Sequence, residues 1–241
     1  MKQFGLIGKS LGHSFSQRYF QDKFQKENRS DHSYQLFEID SIEEFPALVE
    51  RSQNIMGLNV TLPFKMEIIP FLDELEEAAK SVGAVNTIEF LQNGSLKGWN
   101  TDVIGFRESL LPLLKPHHRR AYILGDGGAS QAVQYVLKEL DIPFDLVSRK
   151  GPLTFNSIQK NDLKDHPLII QTTPLGMFPN VDEKVPMILE GIGENHLVFD
   201  LIYNPELTRF LMEAQLRGAQ IKNGMEMLHL QAEAAWKIWN T

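Results

Sequence analysis

A glycine-rich turn is the part of the sequence whose residue types and spacing most directly suggest chemistry. Gly125, Gly127 and Gly128 lie between an apolar run, predicted as a strand, and a segment predicted as a helix. Gly125 permits a tight turn, and Gly127 lets the backbone approach a pyrophosphate at the start of the helix, whose free N–H groups attract anions. Ser130 replaces the third glycine of the usual fingerprint, so a purely structural turn is the alternative. The turn predicts a dinucleotide-binding loop.

Two cations, Arg149 and Lys150, follow the next predicted strand. An NAD-specific site usually has a carboxylate there to bind the ribose 2′-hydroxyl, whereas a guanidinium suits the 2′-phosphate of NADP. Asp145 is the rival carboxylate, but it lies inside the predicted strand. The pattern favours NADP over NAD, and the alternative is that both cations are simply exposed in a loop.

Asp126 is unusual because it places a carboxylate inside the predicted pyrophosphate turn. A negative charge there should repel the cofactor unless the side chain points away. We expect Asp126→Ala to tighten NADPH binding or leave it unchanged.

Short polar motifs occur in the first half of the chain, each at the end of a predicted strand or in the loop that follows. Their candidate ligand-binding residues are Ser14, Ser16, Asn59, Thr61, Lys65, Asn86, Asn100 and Asp102. Open α/β sheets bind ligands at the carboxyl ends of their strands, so these side chains can share one binding edge. Each has a structural alternative when taken singly: helix caps for the serines and Asp102, turns for the asparagines, and a solvated cation for Lys65.

The elements that must position these residues alternate between strand and helix along the whole chain, which is typical of parallel α/β folds. In the first half the predicted strands span residues 4–7, 34–39, 56–61, 84–90 and 95–99, the last two joined by the Asn93-Gly94 turn. The predicted helices there span residues 17–28, 42–51, 67–72, 73–82 and 103–114. The helix at residues 42–51 opens with a capping box formed by Ser41 and Glu44.

Residues 115–120, a polar segment broken by proline, are predicted to be a solvated hinge between two folding units, with a metal or anion site as the alternative. A βαβ unit then follows. The predicted strands of the second half span residues 121–124, 144–148, 168–171 and 197–201, and its helices span residues 129–140, 207–217 and 225–239.

Composition excludes several classes of function. The 241 residues carry 24 Lys and Arg against 31 Asp and Glu, and the formal charge of −7 argues against a general nucleic-acid binder. Cysteine is absent, which excludes disulfides and thiol chemistry and suits a reducing cytoplasm. The sequence has no apolar run of about 20 residues, no secretion signal at its start and no convincing metal-ligand spacing, so we expect neither a membrane span nor a metal.

Together the motifs resemble those of one family, the shikimate dehydrogenases, over nearly the whole chain. In the first half the family's paired serines match Ser14 and Ser16, and its N-V-T-x-P-x-K, G-A-V-N-T and N-T-D-x-x-G-F motifs match residues 59–65, 83–87 and 100–106. In the second half its glycine turn, T-x-x-G-M, D-L-I-Y-N-P and N-G-M-E-M-L motifs match residues 125–132, 173–177, 200–205 and 223–228. Departures from the family pattern are Gln17, Ser148, Lys150 and Gln171.

The resemblance implies an α/β protein of two domains. Residues 1–101 plus 225–241 would form the substrate-binding catalytic domain, and residues 102–224 a Rossmann-like NADP-binding domain. The implied activity is NADPH-dependent, reversible reduction of 3-dehydroshikimate to shikimate, on the route to chorismate and the aromatic amino acids. The implied protein is cytoplasmic, acts on a small molecule, and is a monomer or homodimer.

The resemblance also implies roles for particular residues. The substrate-binding set is Ser14, Ser16, Asn59, Thr61, Asn86, Asp102, Tyr203 and Gln231, with the serines and Tyr203 at the substrate carboxylate. The cofactor-binding set is Gly125, Gly127, Gly128, Ala129, Ser148, Arg149, Lys150, Thr172, Thr173, Met177, Leu201 and Gly224. Tyr203 has an alternative role as a core aromatic, and we interpret His13, beside the serine pair, as structural.

Lys65 and Asp102 are the predicted catalytic pair. Reduction of a ketone leaves a developing alkoxide, which needs a nearby cation and a proton. The lysine ammonium group can supply both, while Asp102 can orient the substrate hydroxyl and share the transfer. The alternatives are a quinate/shikimate dehydrogenase with relaxed NAD/NADP use, a catalytically silent shikimate sensor and, less consistent with the motifs, a methylenetetrahydrofolate dehydrogenase.

Overall fold

The computed structural model describes residues 1–12, 14–52 and 54–240, and the chain packs as two compact units. The first unit comprises Met1–Thr101 with Ala232–Thr241, and the second comprises Asp102–Gln231. The expected assignment of substrate to one domain and NADP to the other stays a prediction. His13 lies outside the described residues.

The first unit is built on a mixed sheet. Its strands are β1 (Lys2–Gly8), β2 (His32–Glu38), β3 (Ile55–Val60), β4 (Glu74–Leu75), β5 (Thr87–Phe90) and β6 (Leu96–Trp99), in the order β2-β1-β3-β5-β6-β4. The first three strands are parallel, whereas β5 runs antiparallel to both β3 and β6. Its helices are α1 (Phe15–Lys26), α2 (Phe45–Arg51) and α3 (Glu77–Val82).

An aromatic core closes one face of the first sheet. Phe4, Phe20 and Tyr34 pack there with Trp236 and Trp239 from the last helix. The Trp239 indole N–H donates to the Ile88 carbonyl at 3.0 Å, which ties the end of the chain to the sheet.

The second unit is built on a parallel sheet. Its strands are β7 (Ala121–Leu124), β8 (Phe144–Val147), β9 (Leu168–Gln171), β10 (Leu197–Asp200) and β11 (Gln220–Lys222), in the order β11-β10-β9-β7-β8. Its helices include α5 (Gly128–Glu139) and α6 (Arg209–Leu216). The segment of chain that forms this unit begins with α4 (Thr101–Leu110). It ends within α7 (Met225–Trp239), whose residues from Ala232 onward belong to the first unit. This arrangement is the expected Rossmann-like α/β fold.

The predicted hinge at residues 115–120 is wrong, because this segment lies inside the second unit. His118 is only 5% exposed, and its Nδ1 accepts a hydrogen bond from the Lys115 backbone N–H at 3.0 Å. Burial lowers the pKa of His118 to about 4, so the ring is neutral near pH 7. The segment is therefore not a linker between units, but it is solvated as predicted, since every residue in it except His118 is exposed.

Several predicted helices are interrupted. Residues 67–72 contain only a 3-10 turn, Ile69–Phe71, because Pro70 cannot donate the hydrogen bond that a helix needs. The segment 73–82 begins as β4 before α3 starts, since the Asp73 carboxylate accepts from the Leu96 backbone and brings the chain beside β6. Likewise α4 ends at Leu110, and a 3-10 turn containing Pro112 follows.

The predicted capping box is confirmed. The Glu44 carboxylate accepts from the Ser41 backbone N–H at 3.2 Å and opens a 3-10 turn, Ile42–Glu44, that leads into α2. No helix in the described part of the chain is long and apolar enough to cross a bilayer.

Candidate functional site

The glycine turn after β7 has the backbone that a phosphate-binding loop requires. Gly125 has φ of +114°, a conformation that other residues rarely adopt, and a Cβ there would lie 2.7 Å from the Thr172 hydroxyl oxygen. A Cβ at Gly127 or Gly128 would meet nothing within 4 Å, so the backbone is open on that side. Gly127 is the N-cap of α5 and supplies no side-chain cap. The Ser130 N–H donates to the Gly127 carbonyl at 3.0 Å, so the N–H groups of Gly128 and Ala129 are the ones that can serve an external acceptor.

A cavity of about 250 Å³ lies at the carboxyl ends of β7, β8 and β9. The predicted cofactor residues that line it are Gly125, Gly127, Ser148, Arg149, Thr172 and Thr173. Strand order reverses at this point, since β8 and β9 flank β7 on opposite sides. Open α/β sheets bind ligands at such a switch point, so the residues present fit a dinucleotide.

The charges around this cavity also fit NADP. Arg149 and Lys150 are exposed in the loop after β8, as the sequence indicates. Asp145 lies within β8, and its carboxylate already has two protein partners. It accepts a hydrogen bond from Arg120 at 2.8 Å and lies 2.7 Å from His166 Nε2. These contacts, with His166 the largest cause, lower the pKa of Asp145 and keep it ionised. Asp126 is exposed at the turn itself.

The loop after β9 forms another wall of the cavity, and Gln171 holds it. Gln171 is fully buried, and its amide group donates to the carbonyls of Thr173 at 3.0 Å and Leu175 at 3.3 Å. Its side-chain oxygen accepts from the Thr173 backbone N–H. The glutamine at this position therefore binds the loop and not a ligand.

The remaining predicted cofactor residues lie in the same unit. Gly128 and Ala129 open α5, and Met177 is 44% exposed. Leu201 and Gly224 adjoin each other, since a Cβ at Gly224 would lie 2.0 Å from the Leu201 carbonyl oxygen. Only glycine permits this close approach of two backbone segments.

The serine pair lies at the start of α1 in the first unit. The Ser14 hydroxyl is the N-cap and accepts from the Gln17 backbone N–H at 3.4 Å, as the helix-cap alternative predicts. A proline at position 17 would lack this donor. Because the Ser14 hydroxyl oxygen accepts, its own proton is left to donate to an anion.

A buried hydrogen-bond network holds other predicted substrate residues. Asn59, 7% exposed, donates through Nδ2 to the Thr87 hydroxyl at 3.0 Å and to the Asn86 carbonyl at 3.2 Å. The side-chain oxygen of Asn86 accepts from the Thr101 backbone N–H at 2.7 Å and from the Thr101 hydroxyl at 3.1 Å. The network joins Asn59 and Asn86 and fixes the orientation of both amides.

Lys65 and Thr61 lie in the segment that follows β3. The Thr61 N–H donates to the Ile7 carbonyl at 2.9 Å, and the Lys65 carbonyl accepts from the Val85 N–H at 2.7 Å. Asn100 is buried, and its amide donates to the Ala84 carbonyl at 2.9 Å. The backbone around Lys65 is therefore anchored next to the segment that carries Asn86.

Asp102, Tyr203 and Gln231 belong to the second unit. Asp102 lies in the first turn of α4, and this helix packs tightly against α7, since a Cβ at Gly105 would lie 2.5 Å from the Met227 carbonyl and 3.1 Å from Gln231 Cβ. Tyr203 follows β10 and is partly buried.

Asp200 is a buried carboxylate for which the sequence analysis predicts no role. Its oxygens accept from the Thr208 hydroxyl at 2.7 Å and the Ile202 N–H at 3.0 Å, which holds the loop that contains Tyr203. Burial raises its pKa to about 6. In the described part of the chain, no group of three or more His, Cys, Asp or Glu side chains could hold a metal ion.

The fold and the switch-point cavity define a class of protein, the dinucleotide-binding α/β proteins. Comparison with known proteins identifies the family within this class. The sequence profile described as "Shikimate dehydrogenase substrate binding domain" matches residues 6–88. A shikimate dehydrogenase (NADP(+)) from Bacillus cereus is 35% identical, over 99% of this chain and 93% of that protein.

Solved structures of the same family are also similar to this chain. Shikimate dehydrogenase from Aquifex aeolicus has a TM-score of 0.85 and 35% identity over all of this chain and 92% of that one. The Thermus thermophilus shikimate 5-dehydrogenase in complex with NADP(H) and shikimate has a TM-score of 0.85 and 28% identity, over 99% and 93% of the two chains. The chain belongs to the shikimate dehydrogenase family.

Proposed function

We propose that this protein catalyses the reversible, NADP-dependent interconversion of shikimate and 3-dehydroshikimate, which supplies the route to chorismate and the aromatic amino acids. The observation that carries the proposal is the cavity at the switch point of the second sheet, with Arg149 in its wall, in a chain similar throughout its length to NADP-dependent shikimate dehydrogenases.

The cofactor-binding roles follow from the chemistry of each group. The open backbone at Gly127 and the start of α5 would receive the pyrophosphate, and Arg149 with Lys150 would bind the 2′-phosphate. Ser148, Thr172 and Thr173 would line the cavity, with Gly128, Ala129, Met177, Leu201 and Gly224 completing the site. The bound nicotinamide supplies or accepts the hydride.

The acid–base chemistry is assigned to Lys65 and Asp102. The Lys65 ammonium stabilises negative charge on the reacting oxygen and donates a proton to it in the direction of reduction. Asp102 accepts a hydrogen bond from the substrate hydroxyl, orients it and shares the proton transfer. In the direction of oxidation, Lys65 takes the proton from the shikimate hydroxyl.

The substrate-binding roles use mainly neutral hydrogen bonds. Ser14 and Ser16 donate to the substrate carboxylate, and Tyr203 is a further carboxylate-binding residue. The ring hydroxyls are recognised by Thr61, Asn86, Asp102 and Gln231, with Asn59 in the supporting network. A site built to bond several hydroxyls rejects analogues that lack one, because its own polar groups would then be left unpaired.

A spectrophotometric assay tests the proposed function. Shikimate with NADP should produce the nicotinamide absorbance of NADPH, and quinate or NAD should give much lower rates. Comparable rates with quinate and NAD would favour the relaxed quinate/shikimate dehydrogenase. Tight shikimate binding by calorimetry without turnover would favour a sensor.

The compartment and assembly belong to the same proposal. The absence of cysteine suits a reducing compartment, and we place the protein in the cytoplasm, as a monomer or homodimer acting on a small molecule. Size-exclusion chromatography with light scattering distinguishes the two assemblies.

A further inference from the structure

We propose that Tyr34 is a positioning residue for the substrate, because its buried hydroxyl orients the Asn59 amide and, through it, the side chains of Thr87 and Asn86 at the substrate-binding edge of the first unit. The inference rests on the proposed function. It assigns a role to a residue of β2 that belongs to none of the sequence motifs.

The Tyr34 hydroxyl bonds a residue of the buried network in the first unit. Tyr34 is 3% exposed, and its hydroxyl donates to the Asn59 side-chain oxygen at 2.8 Å. Burial raises the pKa of Tyr34, so the phenol remains protonated and its direction of donation is fixed.

The chain of hydrogen bonds continues from Asn59 into the next two strand ends. Because its oxygen accepts from Tyr34, the Asn59 amide must point its N–H groups toward the Thr87 hydroxyl and the Asn86 carbonyl. The Thr87 hydroxyl lies 3.2 Å from the Asn86 side-chain oxygen, which also accepts from Thr101. One hydroxyl on β2 is thus connected, through Asn59, to side chains as far as the start of α4.

The hydroxyl is separable from the packing of the ring. The Tyr34 ring stacks on Phe20 with ring centres 4.7 Å apart, inside the aromatic core that Phe4 and Trp239 share. Phenylalanine would keep this packing. It would leave the buried Asn59 oxygen without its donor, and unpaired buried groups reorient or admit water.

The Asn86 side chain explains why the effect should fall on substrate binding. Asn86 is a predicted substrate-binding residue, and its side-chain oxygen accepts from the Thr87 hydroxyl, which the Asn59 amide holds. An Asn59 amide that has lost its donor can turn and release the Thr87 hydroxyl. Tyr34 therefore acts on Asn86 through Asn59 and Thr87.

The first test is Tyr34→Phe, with Tyr122→Phe as the matched control, since Tyr122 is a buried tyrosine of the second unit that stacks on His166. We expect Tyr34→Phe to raise the KM for shikimate about three- to tenfold while the Kd for NADP stays within about twofold, as for loss of one buried hydrogen bond. Tyr122→Phe should change neither. Melting temperatures of both variants show whether each is folded.

The second test is a double-mutant cycle with Thr87→Val, which removes the hydroxyl between Asn59 and Asn86. If Tyr34 acts through Thr87, the rise in KM of the double variant is smaller than the product of the two single rises, whereas independent effects multiply. Multiplying effects, or a Tyr34→Phe variant with the wild-type KM, would overturn the inference alone. A wild-type protein that does not turn over shikimate would overturn the proposed function and this inference with it.

Discussion

In the first unit the candidate ligand-binding groups are side chains held in a hydrogen-bond network, whereas in the second they belong largely to backbone turns. Asn59 and Asn86 are fixed by side-chain and backbone groups, at distances between 2.7 and 3.2 Å. Around the switch-point cavity, the turn at Gly125 and the start of α5 present backbone N–H groups, and Gln171 braces the neighbouring loop through backbone contacts.

The difference matches the two ligands. A polyhydroxylated ring is distinguished from its analogues by hydrogen bonds of defined direction, which oriented side chains supply. A pyrophosphate is recognised through its charge, which backbone N–H groups and a helix dipole attract without side-chain specificity. Substitutions that remove a hydrogen-bonding side-chain group should therefore weaken ligand binding by the first unit. Substitutions that add a side chain against the backbone should weaken ligand binding by the second unit.

The largest expected effect is that of Lys65→Ala. Removing the group that stabilises the reacting oxygen and transfers its proton should lower kcat by about 10²- to 10⁴-fold, with the Kd for NADP unchanged. Steady-state kinetics and cofactor titration measure the two quantities. Lys80→Ala, an exposed lysine on α3, is the control. Near-normal turnover by Lys65→Ala would show that Lys65 is not the proton donor.

Arg149→Ala tests the guanidinium that is predicted, together with Lys150, to make the second unit specific for NADP. Loss of a charge-assisted bond to the 2′-phosphate should weaken NADP binding about ten- to hundredfold and leave NAD binding unchanged. Isothermal titration with both nucleotides measures this. Arg119→Ala removes an exposed guanidinium of the same unit and should have no such effect. Equal losses for NADP and NAD would assign Arg149 to some other part of the cofactor.

Gly125→Ala should reveal the dependence of the second unit on its backbone. The added Cβ would strain a φ of +114° and meet the Thr172 hydroxyl, so we expect the Kd for NADP to rise about tenfold. Gly94→Ala is the matched control, because Gly94 has φ of +87° but a Cβ there meets nothing within 4 Å. Gly94→Ala should lower the melting temperature without changing cofactor affinity. An unaffected Kd in Gly125→Ala would contradict the role of this turn.

Asp126→Ala is the smallest change and the sharpest check on the electrostatics of the turn. Removing an exposed carboxylate next to the bound phosphates should tighten NADPH binding by at most a few-fold or leave it unchanged, since exposed charges interact weakly in water. Titration at low and high salt separates the electrostatic part. A marked loss of affinity would mean that Asp126 contributes a contact to the cofactor.

The local features of the cofactor unit could be predicted from the sequence. The strand, the glycine turn and the helix after Gly125 are contiguous, so their spacing alone indicates how they fold. Asp145 could likewise be placed inside β8 and Arg149 in the loop after it, because the short, mainly apolar run at residues 144–147 shows where the strand ends.

The side-chain network could not be predicted in the same way. Tyr34 and Asn59 are 25 residues apart, and Asn86 and Thr101 are 15 apart, so their contacts depend on the order of strands in the sheet. The strand β4 has only two residues, too few for any periodic pattern, and a helix was expected there. His118 looked solvated because its type is polar, whereas the turn around it buries the ring.

The most direct test of the account is the reaction in the direction of reduction. Wild-type protein, NADPH and 3-dehydroshikimate should lose NADPH absorbance and form an equal amount of shikimate, identified by chromatography. The account predicts this one-to-one conversion, with little activity when NADH replaces NADPH. No consumption of NADPH dependent on 3-dehydroshikimate, or a product other than shikimate, would contradict it.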